Sequence, residues 1–157
     1  MLVPIVTKKL PLLLGFLIAV GPLSTDMYLP AFPQIAVDFH NQAAPQISLA
    51  AYFVGLAFGQ MTIGALSDRL GRRSPLLVGL VIYTLASIGC AFCWSVSSLA
   101  VFRFLAALGC SAGVVVPRAM VRDLADGPAA AKLFSKLVLV MGVAPIVAPM
   151  LGAMVVL

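Results

Sequence analysis

The chain has 157 residues, 62% of them hydrophobic and 10% charged, with a formal net charge of +5 and a mean hydropathy of +1.14. That usage lies far outside a soluble domain's and points to an integral membrane protein. In a soluble protein the basic excess would suggest nucleic acid, but here its placement between apolar runs is a topology signal, and no nucleic-acid partner follows.

Five apolar stretches, each about 20 residues or more, are long enough to cross a hydrocarbon core of roughly 30 Å as helices. They fall near residues 10–31, 47–66, 75–94, 99–121 and 133–157. The runs are continuous rather than alternating, and about twice the length of a barrel strand, which excludes a β-barrel. The expectation is an all-α membrane protein, one helical bundle over residues 1–157. The start, with Lys8 and Lys9 before an apolar core, imitates a secretory signal. No clean small-x-small cleavage site follows and the run exceeds signal-peptide length, so it reads as an uncleaved first span.

That first span ends in "PLSTDMYLPAFP", Pro22 to Pro33, which carries Asp26 and then Pro30 and Pro33. Asp26 lies about five residues before the outer end, at about 7 Å depth by the helix rise. In the fourth span Arg103 lies about four residues in, roughly 6 Å below the same surface. Unlike charges at one level, each costing a few kcal/mol to bury alone, are expected to pair or to face an internal aqueous cavity. The bland reading is that Arg103 snorkels outward and Asp26 caps a proline kink.

Between the second and third spans stand Arg69, Arg72 and Arg73. Around the junction of the fourth and fifth stand Arg118, Arg122, Lys132 and Lys136, whereas "VDFHNQAAPQ" and "SVSS" hold no Lys or Arg. All basic residues but Arg103 thus fall on one side, which the positive-inside rule makes cytoplasmic, with the amino terminus inside. Gly71 can supply the backbone angles of a tight turn there, and the flanking arginines can bond acids on neighbouring helix ends. Asp123 is on the correct side to receive Arg72.

In the third span Cys90 and Cys93 form a C-x-x-C with no acidic or histidine partner nearby, and read as small packing residues. Gly55 with Gly59, and Gly109 with Gly113, are G-x-x-x-G pairs that predict close intramolecular helix contact. In the fifth span Pro145 and Pro149 lie four apart on one face, and Gly142, Gly152 and Ala153 permit close approach, so this span is expected to be bent and tightly packed. With a single His, no nucleophile triad and no phosphate loop, the sequence offers no enzymatic site and calls for no cofactor or metal.

"GALSDRLGRRSPLL", Gly64 to Leu77, resembles the cytoplasmic signature loop of the major facilitator superfamily, through Gly64, Leu66, Ser67, Asp68, Arg69, Gly71, Arg72 and Arg73. The resemblance implies that this loop ties helix ends together in the outward-facing state, with an Arg72–Asp123 pair as conformational latch. "PLSTDMYLPAFP" is similar to the first-span signature of the Bcr/CflA drug exporters. "RFLAALGCSAG" resembles the fourth-span motif of the drug:proton antiporters, whose arginine, here Arg103, is implicated in proton transfer. "GVAPIVAPMLGA", Gly142 to Ala153, is similar to their fifth-span antiporter motif.

What these resemblances imply is proton-coupled efflux of small amphipathic antimicrobial compounds across a bacterial inner membrane. Asp26 and Arg103 would handle protons, and Met27, Tyr28 and Tyr52 would line the cavity. The superfamily fold implies two six-helix halves. The chain reaches Leu157 inside its fifth span, so the expectation is the amino-terminal part of a longer transporter that needs the missing carboxy-terminal helices. Two alternatives stay open: another carrier of the superfamily, such as a metabolite exporter or nutrient symporter, and a truncated, non-transporting membrane fragment.

Overall fold

A computed structural model of the chain describes residues 10–156. Lys8 and Lys9, on which part of the expected orientation rests, lie outside the described residues, as does Leu157. Helices α1 (Leu10–Asp26), α2 (Phe32–Asp38), α3 (Ala44–Leu70), α4 (Arg73–Ala91), α5 (Val96–Leu124) and α6 (Gly127–Val156) make up almost all of the fold, with a 3₁₀ turn at Leu29–Ala31 joining α1 to α2. There is no strand among the described residues. Counting α1 through α2 as one run, five segments are long and apolar enough to cross a membrane, so the chain is a multi-pass helical membrane protein.

Boundaries differ from the hydropathy reading wherever local chemistry outweighs hydropathy. The first span does not continue helically to Ala31: α1 stops at Asp26, and Pro30 and Pro33 stand at the second positions of the 3₁₀ turn and of α2. Proline lacks the donor that would extend α1 and constrains the residue before it, so it begins helices here rather than kinking one. Helix α3 runs on past its apolar stretch through Asp68 and Arg69, and stops only where Gly71 adopts φ 80°, a backbone state glycine adopts cheaply. Helix α5 starts where Ser95 and Ser98 form a reciprocal cap: Ser98 N–H donates to Ser95 Oγ at 3.1 Å and Ser95 N–H to Ser98 Oγ at 3.2 Å. Helix α6 begins six residues before the apolar run, because Pro128 and three alanines are good first-turn residues.

Helix α5 is the centre of the bundle. Of its apolar window 61% is buried, against 17% for α3, α4 and α6. Its small residues make this possible, since α3 and α4 both lie on it and α1 packs between it and α6. At Gly55 a Cβ would fall on the Phe104 carbonyl and lie 3.1 Å from Ala107 Cβ; at Gly109 it would lie 2.5 Å from Tyr83 N and 2.9 Å from Tyr83 Cα. Both glycine pairs therefore sit in contacts within the chain. At the end where α1, α5 and α6 meet, Leu14, Ile18, Val121 and Leu137 form a buried apolar cluster.

Because successive spans alternate in direction, the α3–α4 and α5–α6 junctions share one end of the bundle. That end carries Arg69, Arg72, Arg73, Arg122, Lys132 and Lys136. The opposite end carries Trp94, 89% exposed, an aromatic of the kind that sits at a membrane interface.

Candidate functional site

Two sets of polar residues stand out, one at the basic end and one within the bundle. At the basic end, Gly71 turns the chain so that Arg72 points across to α5. Its Nε donates to Asp123 Oδ2 at 2.7 Å and its Nη2 to Oδ1 at 3.3 Å, the two-pronged contact that guanidinium geometry favours. Arg72 Nη1 donates to Ser67 Oγ at 2.8 Å and also to Asp68. Hydrogen bonding to Asp123 first, then to Asp68, holds the Arg72 proton more tightly than usual. The structure thus brings Arg72, Asp68 and Asp123 into one cluster. Ser67, buried and donating in turn to the Gly64 carbonyl at 2.9 Å, belongs to it as well. Arg69 and Arg73 are exposed, and neither takes part in an ion pair among the described residues.

Within the bundle Arg103 does not snorkel outward; it is only 7% exposed. Its guanidinium carbon lies 4.0 Å from the centre of the Tyr28 ring and 4.6 Å from that of Tyr52. A buried cation held between two aromatic faces gains on the order of 2 kcal/mol from each well-placed, desolvated ring. Nη1 reaches the Ser24 carbonyl at 3.4 Å, while Nε and Nη2 find no acceptor among the described residues. Tyr28 is itself fixed. Ser48 Oγ donates to the Pro45 carbonyl at 2.9 Å, which leaves it to accept from the Tyr28 hydroxyl at 2.7 Å.

Arg103, Ser24, Met27 and Tyr28 line a groove of about 450 Å³ between α1, α4 and α5, with Tyr83 and Cys90 on its far wall. Cys90 and Cys93 are free thiols; Cys93 lies just past the end of α4.

Asp26 is not paired with Arg103: no such ion pair is present among the described residues. The half-buried carboxylate residue lines a different groove, of about 350 Å³, together with Tyr52, Gln60, Arg118 and Pro145. Equal depth does not fix azimuth, and α1 presents residue 24 to Arg103 and residue 26 to the other side. Tyr52 belongs to both sites. Fully buried, it stacks on Arg103 with its ring and forms part of the wall of the Asp26 groove, so it separates the two charges rather than offering an open surface to a ligand.

The fifth-span motif is only partly packed. Ala144, Ala148 and Gly152 form its buried stripe, and at Gly152 a Cβ would lie 2.9 Å from Met27 Cα. The close approach expected of Gly142 is absent: a Cβ there meets nothing within 4 Å, and Pro145 is exposed. The stripe repeats every four residues, and Gly142 falls outside it. Helix α6 is therefore tightly packed along one narrow line and open elsewhere, not on all sides. Pro145 and Pro149 lie within a single helix.

Sequence reasoning missed Arg118 and Gln60 as groove residues and the two rings as the seat of Arg103. Arg118, near the inner end of the expected fourth span, counts only with the basic end in the charge pattern; it lies six residues inside α5 and follows Pro117.

Comparison with known proteins bears on this arrangement. The family model described as Major Facilitator Superfamily matches residues 14–157. Over 149 residues the chain is 46% identical to a Bacillus subtilis protein named uncharacterized MFS-type transporter YdgK, covering 94% of this chain and 37% of that protein. It is 34% identical over 146 residues to a bicyclomycin resistance protein homolog of Haemophilus influenzae, covering 92% and 37%. It is 35% identical over 142 residues to the multidrug resistance protein MdtL of Klebsiella pneumoniae, covering 90% and 36%. The chain thus spans little more than a third of the length of these relatives.

Proposed function

The chain belongs to the Major Facilitator Superfamily, and we propose that it forms the amino-terminal part of a proton-coupled exporter of small amphipathic antimicrobial compounds, of the Bcr/CflA type. The observation that carries this reading is the pair of ionisable residues within the spans, Asp26 and Arg103, each lining its own groove. Charged side chains inside membrane helices are expensive and usually mark an ion or substrate path. Relatives named for bicyclomycin and multidrug resistance support the direction and class of cargo.

In this reading Asp26 carries the proton. Arg103 acts through α1: clasped by Tyr28 and Tyr52, it holds the Ser24 carbonyl and so sets the last turn of α1, where Asp26 sits. The Arg72–Asp123 cluster latches the α3–α4 turn to the end of α5 in one conformational state and releases it in the other. The basic end is the cytoplasmic one in a bacterial inner membrane. The further helices of the carrier complete the cavity, since substrate sites in such folds lie between structural repeats.

The test is Asp26→Asn in the full carrier, assayed in everted membrane vesicles for drug uptake driven by a pH gradient. Insertion is expected to be normal and gradient-driven uptake to fall to background. Uptake at the wild-type rate would show that Asp26 is not the coupling site.

A further inference from the structure

The groove that holds Asp26 also holds Arg118, and nothing so far gives that residue a function. The two do not form an ion pair. They approach the groove from opposite ends: α1 and α5 touch where Gly21 meets Val114. Asp26 lies five residues beyond that point on α1, and Arg118 four residues beyond it on the antiparallel α5. At the helical rise their Cα levels stand about 13 Å apart. Side chains lean toward the amino terminus of their own helix, so in this antiparallel pair the carboxylate and the guanidinium lean toward each other. Phe53, Leu56 and Val114 supply apolar wall between them, and Gln60 adds an amide. Among the described residues the one polar contact of Arg118 is Nη2 to Met141 Sδ at 3.4 Å, and a thioether is a weak acceptor. The guanidinium keeps its strong donors for something else.

We propose that this groove receives a zwitterionic small molecule with an apolar body, its ammonium pole toward Asp26 and its carboxylate toward Arg118. Arg118 thereby selects against ligands that carry only a positive charge. The inference rests on the reading of Asp26 as the coupling carboxylate, and it names the cargo class for that site. One acid and one guanidinium give the groove no net charge. A lone lipophilic cation would satisfy Asp26 but face the like charge of Arg118 in the same groove, whereas a carboxylate on the same ligand converts that repulsion into a two-pronged, charge-assisted contact. A volume of about 350 Å³ lies at the small end of the range for ligand pockets. The ammonium pole and a proton compete for the same carboxylate, which is what exchange requires.

The test compares two probes that differ only in the anionic pole: norfloxacin, zwitterionic at neutral pH, and its methyl ester, a cation. Equilibrium binding to the purified full carrier is followed by the fluorescence of the probes, with no pH gradient present. Wild type is expected to bind norfloxacin about tenfold more tightly than the ester, a typical return on one charge-assisted contact. Arg118→Met is expected to bring the two affinities within about twofold of each other, since no charged contact remains to tell them apart. Arg118→Lys keeps the charge but not the planar fork, so it is expected to retain about a threefold preference; it serves if the Met variant does not fold. A wild type that binds the two equally, prefers the ester or binds neither overturns the inference, as does a preference that persists undiminished in both variants. Binding without a gradient does not depend on coupling. Failure of Asp26→Asn to abolish driven uptake would therefore count against the proposed function, and an Arg118-independent preference against this inference.

Discussion

Replacing Gly109 by alanine sets two opposed effects against each other at one position. Alanine in place of glycine inside a helix is worth about 1 kcal/mol in propensity. At Gly109, however, the added Cβ would lie 2.5 Å from Tyr83 N and 2.9 Å from Tyr83 Cα. Both are backbone atoms of α4, so no side-chain rotation relieves the clash. The helices must separate, and a gap of 0.5–1 Å already forfeits a quarter to a half of each dispersion contact along the α4–α5 seam. Overpacking of this kind costs about 3 kcal/mol at its upper range, which leaves Gly109→Ala about 2 kcal/mol less stable than wild type. Gly142→Ala is the matched control. It too lies within a long helix, but its Cβ meets nothing within 4 Å, so the propensity gain of up to about 1 kcal/mol stands alone. Reversible unfolding of the 157-residue chain in mixed micelles by SDS titration, read by far-ultraviolet ellipticity, should separate the variants by about 3 kcal/mol on these two terms. If they fall within about 0.5 kcal/mol of each other, the level at which ordinary surface changes lie, the seam is not closed by backbone contact at Gly109.

Two further outcomes are expected. Arg72→Asp and Asp123→Arg should each slow transport by the full carrier about tenfold, a typical coupling between conformational states, and the double exchange should recover most of it in vesicle uptake; a double variant as slow as the singles would show that the two residues do not act as a latch. Tyr52→Phe should leave stability unchanged or raise it by about 1 kcal/mol, because the buried hydroxyl has no hydrogen-bond partner among the described residues, whereas Tyr52→Ala should lose about 3–5 kcal/mol through the ring cavity. Thermal unfolding in detergent distinguishes them, and a clear loss in the Phe variant would mean that the hydroxyl is bonded.

The five spans were legible because membrane insertion is read along one dimension, and hydropathy is a one-dimensional property. The Arg72–Asp123 contact was legible for a related reason: a glycine turn and two helix ends confine both residues to a small region. What hydropathy and depth do not encode is azimuth. Asp26 and Arg103 share a level, but the direction in which α1 presents residue 26 is fixed by the meeting of Gly21 with Val114 and of Ser24 with Arg103, contacts made across 79 positions of sequence in the second case. Arg118 was hidden differently. Counting charges assigns it to the basic end, and although the fourth apolar run already reaches past it, only the fold shows that it stands beside a groove. The outward face of Gly142 was hidden because a small residue signals only that close packing is allowed, not that a neighbour is there.

The contact between Gly152 and Met27 makes the end of α1 a bearing surface. Met27 follows Asp26 directly, and at Gly152 the backbone of α6 lies so near that even a methyl group has no room. A tilt of α6 cannot be absorbed by side chains at that point; it is passed directly to the peptide unit next to the carboxylate. Movement of one helix and the surroundings of one carboxylate within the bundle are thus geared together by the absence of a single side chain.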